Sequence, residues 1–283
     1  MIVLLTGSRG RLGPAIAAAL TAAGHEVRGF DLIDGGDIRD AAAVRRAATG
    51  AGLIVHAAGL ADDRGGNPAD VMAVNLLGTW NVLLAAEAAH IRRVVHFSSG
   101  KALGMLERDS DYLPMDDDHR GLPGRAYGLS KWLSEEMCAA FTARTGVDTL
   151  CLRPVAVFDE EGYARSMGSA GQAKPATQRP AAEQAQPAGG SWHMGVHIDL
   201  RDVAAATLAA VNTPYRGHLR ALLCASDIAD RRPTLELVAE RLPHVPWRGG
   251  PEFTRDPYRS LVDTSRAERA LGFRPQYRWP GRR

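Results

Sequence analysis

Tyr127-Gly128-Leu129-Ser130-Lys131 places a phenol and an ammonium four residues apart in a stretch whose pattern predicts the start of a helix. At that spacing both side chains lie on one helical face. An ammonium beside a phenol favours the phenolate and lowers its pKa from the free value of about 10. Tyr127 is thereby equipped to pass a proton to or from a substrate hydroxyl near neutrality. The chain holds only three lysines (101, 131 and 174) and six tyrosines, so a pair at this spacing is scarce by chance.

A proton-transfer pair needs elements that hold it against a reacting carbon, and the N-terminus supplies a candidate. Ile2-Val3-Leu4-Leu5 is an apolar run of strand length, followed by Thr6-Gly7-Ser8-Arg9-Gly10-Arg11-Leu12-Gly13 and an Ala-rich helical pattern through Ala23. Strand, glycine turn and helix together make a phosphate-binding arrangement. Glycine lets the backbone approach a pyrophosphate, and the helix N-terminus adds free N–H groups and a positive dipole end. Gly7, Arg9, Gly10, Arg11, Leu12 and Gly13 are the candidate contacts, and Pro14 suits a first helical turn. The next apolar run, through Val27 and Phe30, ends at Asp31, where a carboxylate can accept both hydroxyls of an adenosine ribose. Its charge repels a 2′-phosphate, so NAD is expected over NADP, although Arg9 and Arg28 offer two guanidinium groups as rival phosphate contacts.

With these residues in view, the chain resembles an extended short-chain dehydrogenase/reductase of the NAD-dependent epimerase/dehydratase group. Beyond the TGxxGxxG loop and the YxxxK pair, Gly36-Asp37-Ile38 resembles the adenine-contacting segment of that family. His56-Ala57-Ala58-Gly59 resembles the strand end along the cofactor, and Asn75 in Val74-Asn75-Leu76-Leu77-Gly78-Thr79 matches the helix Asn that supports the active site. Phe97-Ser98-Ser99-Gly100-Lys101-Ala102-Leu103-Gly104 resembles the strand that brings the catalytic Ser or Thr; counting back from Gly104 puts Ser99 there. Arg153-Pro154 resembles the turn toward the substrate, with Pro154 and Val155 near the nicotinamide. The resemblance implies that Ser99 holds the substrate oxygen, Tyr127 moves its proton, and Lys131 tunes the phenol and grips the nicotinamide ribose. Lys101 is a candidate for the site entrance, with a solvated lysine the commoner reading.

Composition agrees with a cytoplasmic enzyme: 283 residues at 45% hydrophobic content can bury a sizeable core. A net charge of +2 with dispersed arginines carries no nucleic-acid footprint. Cys138, Cys151 and Cys224 read as buried thiols, and His193 and His197 as structural, so no metal is expected. No targeting segment is apparent ahead of the first strand, and no apolar stretch of some eighteen residues is expected to span a membrane.

Apolar runs at 2–5, 27–30, 53–56, 94–97 and 149–152 alternate with helical patterns near 12–23, 40–48, 69–90 and 127–145. That alternation predicts an α/β fold, a doubly wound parallel sheet of Rossmann type with a small C-terminal substrate-binding subdomain. Residues 1–155 form the expected dinucleotide-binding domain with 195–224 returning to it; 156–194 and 225–283 form the subdomain, and the Ala/Gln/Gly/Pro-rich 162–192 reads as a flexible flap. Asp202 reads as a helix N-cap. Asp263 through Pro275 resembles the family's C-terminal helix and its stop.

The chain departs from the family where substrates bind. Leu103 replaces a frequent Tyr, and Gly100-Lys101 replaces the acidic pair of sugar 4,6-dehydratases, which disfavours dehydration. Arg231, Arg232 and Arg259 are candidate contacts for a substrate phosphate or carboxylate, with a surface role the commoner reading. The leading expectation is an NAD-dependent oxidoreductase or epimerase acting on a hydroxyl/carbonyl of a sugar or nucleotide-sugar-like substrate. The rivals are a simple sugar or uronate dehydrogenase and a non-catalytic dinucleotide sensor. By family analogy the helices near 69–90 and 127–145 pair in a homodimer.

Overall fold

The computed structural model describes residues 1–61, 67–105, 107–169 and 194–282. Six parallel strands form one sheet: β1 (Ile2–Thr6), β2 (Glu26–Phe30), β3 (Leu53–His56), β4 (Arg93–Phe97), β5 (Asp148–Pro154) and β8 (His218–Leu223), in the order β2-β1-β3-β4-β5-β8. Parallel strands buried on both faces run largely apolar, and polar side chains within them need partners. Leu53–His56 and Asp148–Pro154 are accordingly buried at every position.

Helices cover both faces. On one, α1 (Gly13–Ala22), α7 (Leu200–Asn212) and α10 (Ser265–Leu271) bury Ile16, Leu20, Val203, Ala206 and Leu271 against Val3, Leu5 and Val55. On the other, α2 (Ala41–Ala48), α4 (Gly78–Ala88) and α5 (Ala126–Thr145) bury Val44, Val82, Leu83 and Phe141 against Leu4 and Ile54. Each such Val, Leu, Ile or Phe side chain contributes about 1.5–3 kcal/mol through burial. The chain is thus a doubly wound Rossmann fold. Its order reverses between β1 and β3, so a crevice opens at the carboxyl ends of those two strands.

A third core, holding Leu113, Met115, Met194, Ile228, Leu237 and Phe253, belongs to a smaller unit with α8 (Thr234–Arg241) and α9 (Glu252–Arg255). Residues 265–271 leave that unit and pack on the main sheet.

The structure corrects several expectations. Residues 162–169 are helical, within α6 (Glu160–Ser169), while the rest of the expected flap and His193 lie outside the described residues. Alternating polarity did not reveal α6 because its support is local chemistry. Asp159 accepts from Gly162 N at 2.9 Å, Glu160 and Glu161 face the positive helix end, and Tyr163 packs edge-on against Phe158. Trp279, only 3% exposed, holds the helix from the C-terminal segment through Nε1 to Ser166 Oγ at 2.9 Å. A short parallel pair, β6 (Ala156–Phe158) with β7 (His197–Asp199), was not anticipated; three residues are too few to show a period.

The N-cap of α7 is Asp199, which accepts from Arg201 N at 2.7 Å; Asp202 is buried in the first turn and receives the amides of Gln276 and Tyr277. Pro68–Ala88, comprising α3 (Pro68–Met72), a π turn (Ala73–Leu77) and α4, is a 21-residue helical stretch apolar enough to span a bilayer by length and composition, contrary to expectation. Half of its most apolar window is buried in the fold, as befits a core helix.

Candidate functional site at the carboxyl edge of the sheet

The glycine loop leaves β1 at the switch point. Gly7 has φ of 72°, and a Cβ there would stand 2.5 Å from Ala58 N, so the turn accepts only glycine. A Cβ on Gly13 would meet the carbonyl oxygens of Gly7 and Ser8 at 2.4 Å. The loop is therefore a backbone-lined cradle ahead of α1, with Arg9, Gly10 and Arg11 exposed and Leu12 half-buried on its rim. Asp31 closes β2 beside it, accepting Arg9 N at 2.9 Å and Ile33 N at 3.0 Å. Arg28 is turned away to the carbonyls of Ala47 and Thr49, at 2.9 and 2.6 Å, and Arg9 Nε lies 3.8 Å from Asp34. Asp37 is held by Arg39 at 2.6 Å, which lowers its pKa, and Ile38 is buried in the α2–α4 core.

The end of β3 is fixed by a buried relay. Thr79 Oγ1 donates to Asn75 O at 2.6 Å and so accepts from His56 Nε2 at 3.0 Å; His56 Nδ1 then accepts from Thr6 at 2.7 Å. Burial, assisted by the Lys131 charge, lowers the pKa of His56 to about 3, and the ring is neutral as that relay requires. Thr6 Oγ1 receives Ala58 N at 3.3 Å, which sets the run Ala57-Ala58-Gly59.

Asn75 sits in the π turn, where the wider winding aims its amide at two elements. Oδ1 accepts Leu60 N at 2.8 Å, while Nδ2 donates to Leu60 O at 3.1 Å and to Ser130 Oγ of α5 at 2.9 Å. A Cβ on Gly59 would lie 2.9 Å from Asn75 Oδ1 and 3.5 Å from Lys131 Nζ. Asn75, Gly59 and Lys131 therefore converge.

Lys131 is 6% exposed and donates from Nζ to Phe97 O at 2.7 Å. Burial pulls its pKa down to about 8. Tyr127, 8% exposed, has two ammonium groups near its ring, Lys131 Nζ at 5.9 Å and Lys101 Nζ at 5.4 Å from the centroid. Lys101, expected in solvent, is thus a second cation beside the phenol. Its carbonyl lies 2.7 Å from where Gly128 would carry a Cβ, so the 3₁₀ turn Gly100–Leu103 presses on the start of α5. Ser99 caps that turn, Oγ accepting Lys101 N at 3.2 Å, which leaves its hydroxyl proton for donation. Pro154 ends β5, and Val155 Cγ1 would meet a Cβ on Gly100 at 3.5 Å. Ser99, Tyr127, Lys131, Asn75, Gly59 and Val155 occupy one region; Asp37 and Ile38 lie toward α2.

Sequence reasoning missed the buried ion network beneath this edge. Arg153 donates from Nε and Nη2 to the two oxygens of Glu135 at 2.8 and 2.6 Å, and from Nη1 to Asp117 Oδ1 at 3.3 Å. Ser98 Oγ adds a bond to Glu135 at 2.5 Å. Neighbours of Ser99, Lys131 and Pro154 are thereby tied together. Glu135, one turn after Lys131 on the same face, was the available signal.

Comparison with known proteins bears on this geometry. The family profile described as NAD dependent epimerase/dehydratase matches residues 3–221. The chain belongs to the NAD-dependent epimerase/dehydratase family. Proteins similar to it include sterol demethylase protein B of Methylococcus capsulatus, 31% identical over 175 residues covering 56% of this chain and 52% of that protein. Uronate dehydrogenase of Pseudomonas syringae pv. tomato is 26% identical over 179 residues, 59% of this chain and 63% of the relative. The match thus spans roughly half to two thirds of these relatives' lengths. Among solved structures, a short-chain dehydrogenase/reductase superfamily protein from Agrobacterium tumefaciens with bound NAD has a TM-score of 0.73 and 24% identity, covering 100% of this chain and 94% of its own. UDP-glucose 4-epimerase from Thermotoga maritima with UDP-glucose has a TM-score of 0.70 at 17% identity, covering 98% and 94%. At such identities these neighbours share the fold of this family member. Arg232, one of the candidate substrate ligands, is paired with Glu240 at 2.6 Å, and Arg231 reaches Gly281 O at 3.4 Å.

Proposed function

We propose that this chain is an NAD-dependent oxidoreductase or epimerase that transfers hydride at a hydroxyl/carbonyl carbon of a sugar-like substrate. The observation that carries the reading is the convergence of Tyr127, Lys131, Asn75 and Gly59 beside a backbone-lined cradle at the switch point. The residues fit NAD. Gly7, Gly10 and Gly13 allow the tight backbone turn ahead of α1, whose N-terminus would receive a pyrophosphate, and Arg9, Arg11 and Leu12 offer further contacts. Asp31 would take the ribose hydroxyls, Asp37 and Ile38 border the adenine, and Ala57, Ala58, Gly59 and Asn75 line the path to Lys131, Pro154 and Val155. The engagement of Arg28 with α2 supports NAD over NADP.

When bound, the nicotinamide supplies the hydride chemistry. Ser99 donates its hydroxyl proton to the substrate oxygen. Tyr127 takes or gives the proton of that oxygen, and the Lys131 and Lys101 charges favour its anionic form. Lys131 keeps donors beyond the one used on Phe97 O, and these would hold a ribose hydroxyl. The uronate dehydrogenase likeness favours net sugar-acid oxidation as the second reading.

We place the protein in the cytoplasm, in keeping with three buried free thiols, and infer a homodimer from Leu77, Trp80 and Leu84, exposed on one stripe of the helix through α4. The test is absorbance at 340 nm with NAD and a panel of sugars, uronic acids and nucleotide sugars, with product NMR alongside. Accumulating NADH identifies a dehydrogenase, and isomerised product without NADH an epimerase; neither product from any of the three classes would sink the reading.

A further inference from the structure

We infer that Arg11 and Asp159 form a clasp along one side of the dinucleotide cleft, and that this clasp sets how fast NAD leaves. The inference rests on the NAD reading above and deepens it, because retention of the cofactor decides whether hydride can return to the same substrate.

Arg11 is the residue after Gly10 in the glycine loop, and Asp159 stands 148 residues later between β6 and α6. Arg11 Nε donates to Asp159 Oδ2 at 2.9 Å, and Arg11 Nη2 donates to Val157 O at 2.8 Å. One guanidinium thus makes two directed bonds to two points of a distant segment. The loop that carries it springs from β1, whereas β6 continues β5 with one residue between. In the sheet β1 and β5 are separated by β3 and β4, a span of about 14 Å at ordinary strand spacing. The Arg11 side chain therefore joins two elements that flank the crevice, on the side covered by α1.

The receiving end is preorganised. Asp159 Oδ1 accepts Gly162 N at 2.9 Å, so the carboxylate is fixed at the head of α6 before it meets Arg11. The Arg11 bond, with that amide, holds the Asp159 pKa down to about 2, and the pair stays charged throughout the useful pH range. Both side chains are partly exposed, 49% for Arg11 and 30% for Asp159. Such a pair contributes little to folding but opens and closes readily, which suits a device acting on ligand escape. Leu12 and Val157 pack against one core beside it, so breaking the clasp frees the rim without dissolving the fold. Asp159 acts through Arg11 and is a positioning residue.

The test is displacement of prebound NADH by excess NAD, followed by stopped-flow fluorescence on the full chain. Asp159→Asn keeps an acceptor for Gly162 N and removes the charge. The clasp predicts release about two- to fivefold faster than wild type at low salt. It also predicts that raising salt accelerates release more in wild type than in Asp159→Asn, with Asp159→Glu restoring part of the retention. Melting temperatures confirm that each variant is folded, and Arg11→Gln repeats the measurement from the other partner. Unchanged release overturns the clasp while NAD binding stands. Slower release also overturns it, because Asp159 would then only compete with the pyrophosphate for Arg11. Wild-type protein that binds no NADH overturns the dinucleotide site and the clasp with it.

Discussion

At Asp117, burial outweighs three favourable partners. Arg153, Arg266 and the amide of Leu222 all stabilise the carboxylate, yet desolvation lifts its pKa to about 7, and Oδ2 is buried without a partner among the described residues. The unfolded group titrates near 3.8. Between these values the folded chain holds a proton that the unfolded chain has released. Stability contributed by this group is therefore greatest below about pH 4 and falls as pH rises to 7, by at most about 1.4 kcal/mol per pH unit. Asp117→Asn should flatten that slope in urea melts at pH 5 and 7; an unchanged slope would remove Asp117 as its source. Lys131 acts at the other end of the scale. Its folded pKa of about 8 lies below the ordinary lysine value of 10.5, so the unfolded chain binds the extra proton between them, and stability rises with pH across that window. Lys131→Met should remove the rise in melts at pH 8 and 10.

Among the elements, the Arg153–Glu135 pair couples α5 to β5 and, through Ser98, to β4. Removing one charge of a buried pair leaves the other uncompensated, so Glu135→Gln should cost about 3–5 kcal/mol in chemical denaturation. A loss below about 1 kcal/mol would show that Asp117 alone suffices for Arg153. The same region shows what the sequence could and could not reveal. The glycine loop, Asp31, Tyr127 and Lys131 were singled out by spacings that chemistry restricts, Asn75 and Ser99 by the family resemblance alone, and the main strands were legible because buried parallel strands run largely apolar. Arg153 and Asp117 were not, since a charge in a strand or loop gives no sign of its distant partner, and Glu135 offered only its place one turn after Lys131. Helix α6 and the β6–β7 pair were hidden for a related reason: their support comes from Asp159, His197 and Trp279, contacts that local periodicity does not encode. Of the two readings open for Lys101, the place beside Tyr127 follows from the 3₁₀ turn rather than from any spacing.

For the whole molecule, the stripe of Leu77, Trp80 and Leu84, 48%, 37% and 37% exposed, lies where α4 runs beside α5. Trp80 also meets Phe141 of α5 edge-on, at 6.0 Å between centroids. A charge there should prevent two copies from pairing, so Trp80→Glu is expected to halve the mass seen by light scattering. A wild-type protein already at monomer mass would remove the dimer. The account's central claim is that one edge of the sheet brings a dinucleotide cradle to a Ser99–Tyr127–Lys131 proton-transfer site. Its most direct test is the rate of 340 nm absorbance change, or of isomer formation, in NAD-loaded Tyr127→Phe with the substrate found active on wild type. The expected result is a loss of about 100- to 10,000-fold with NAD still bound; wild-type turnover in the NAD-loaded variant would contradict the account.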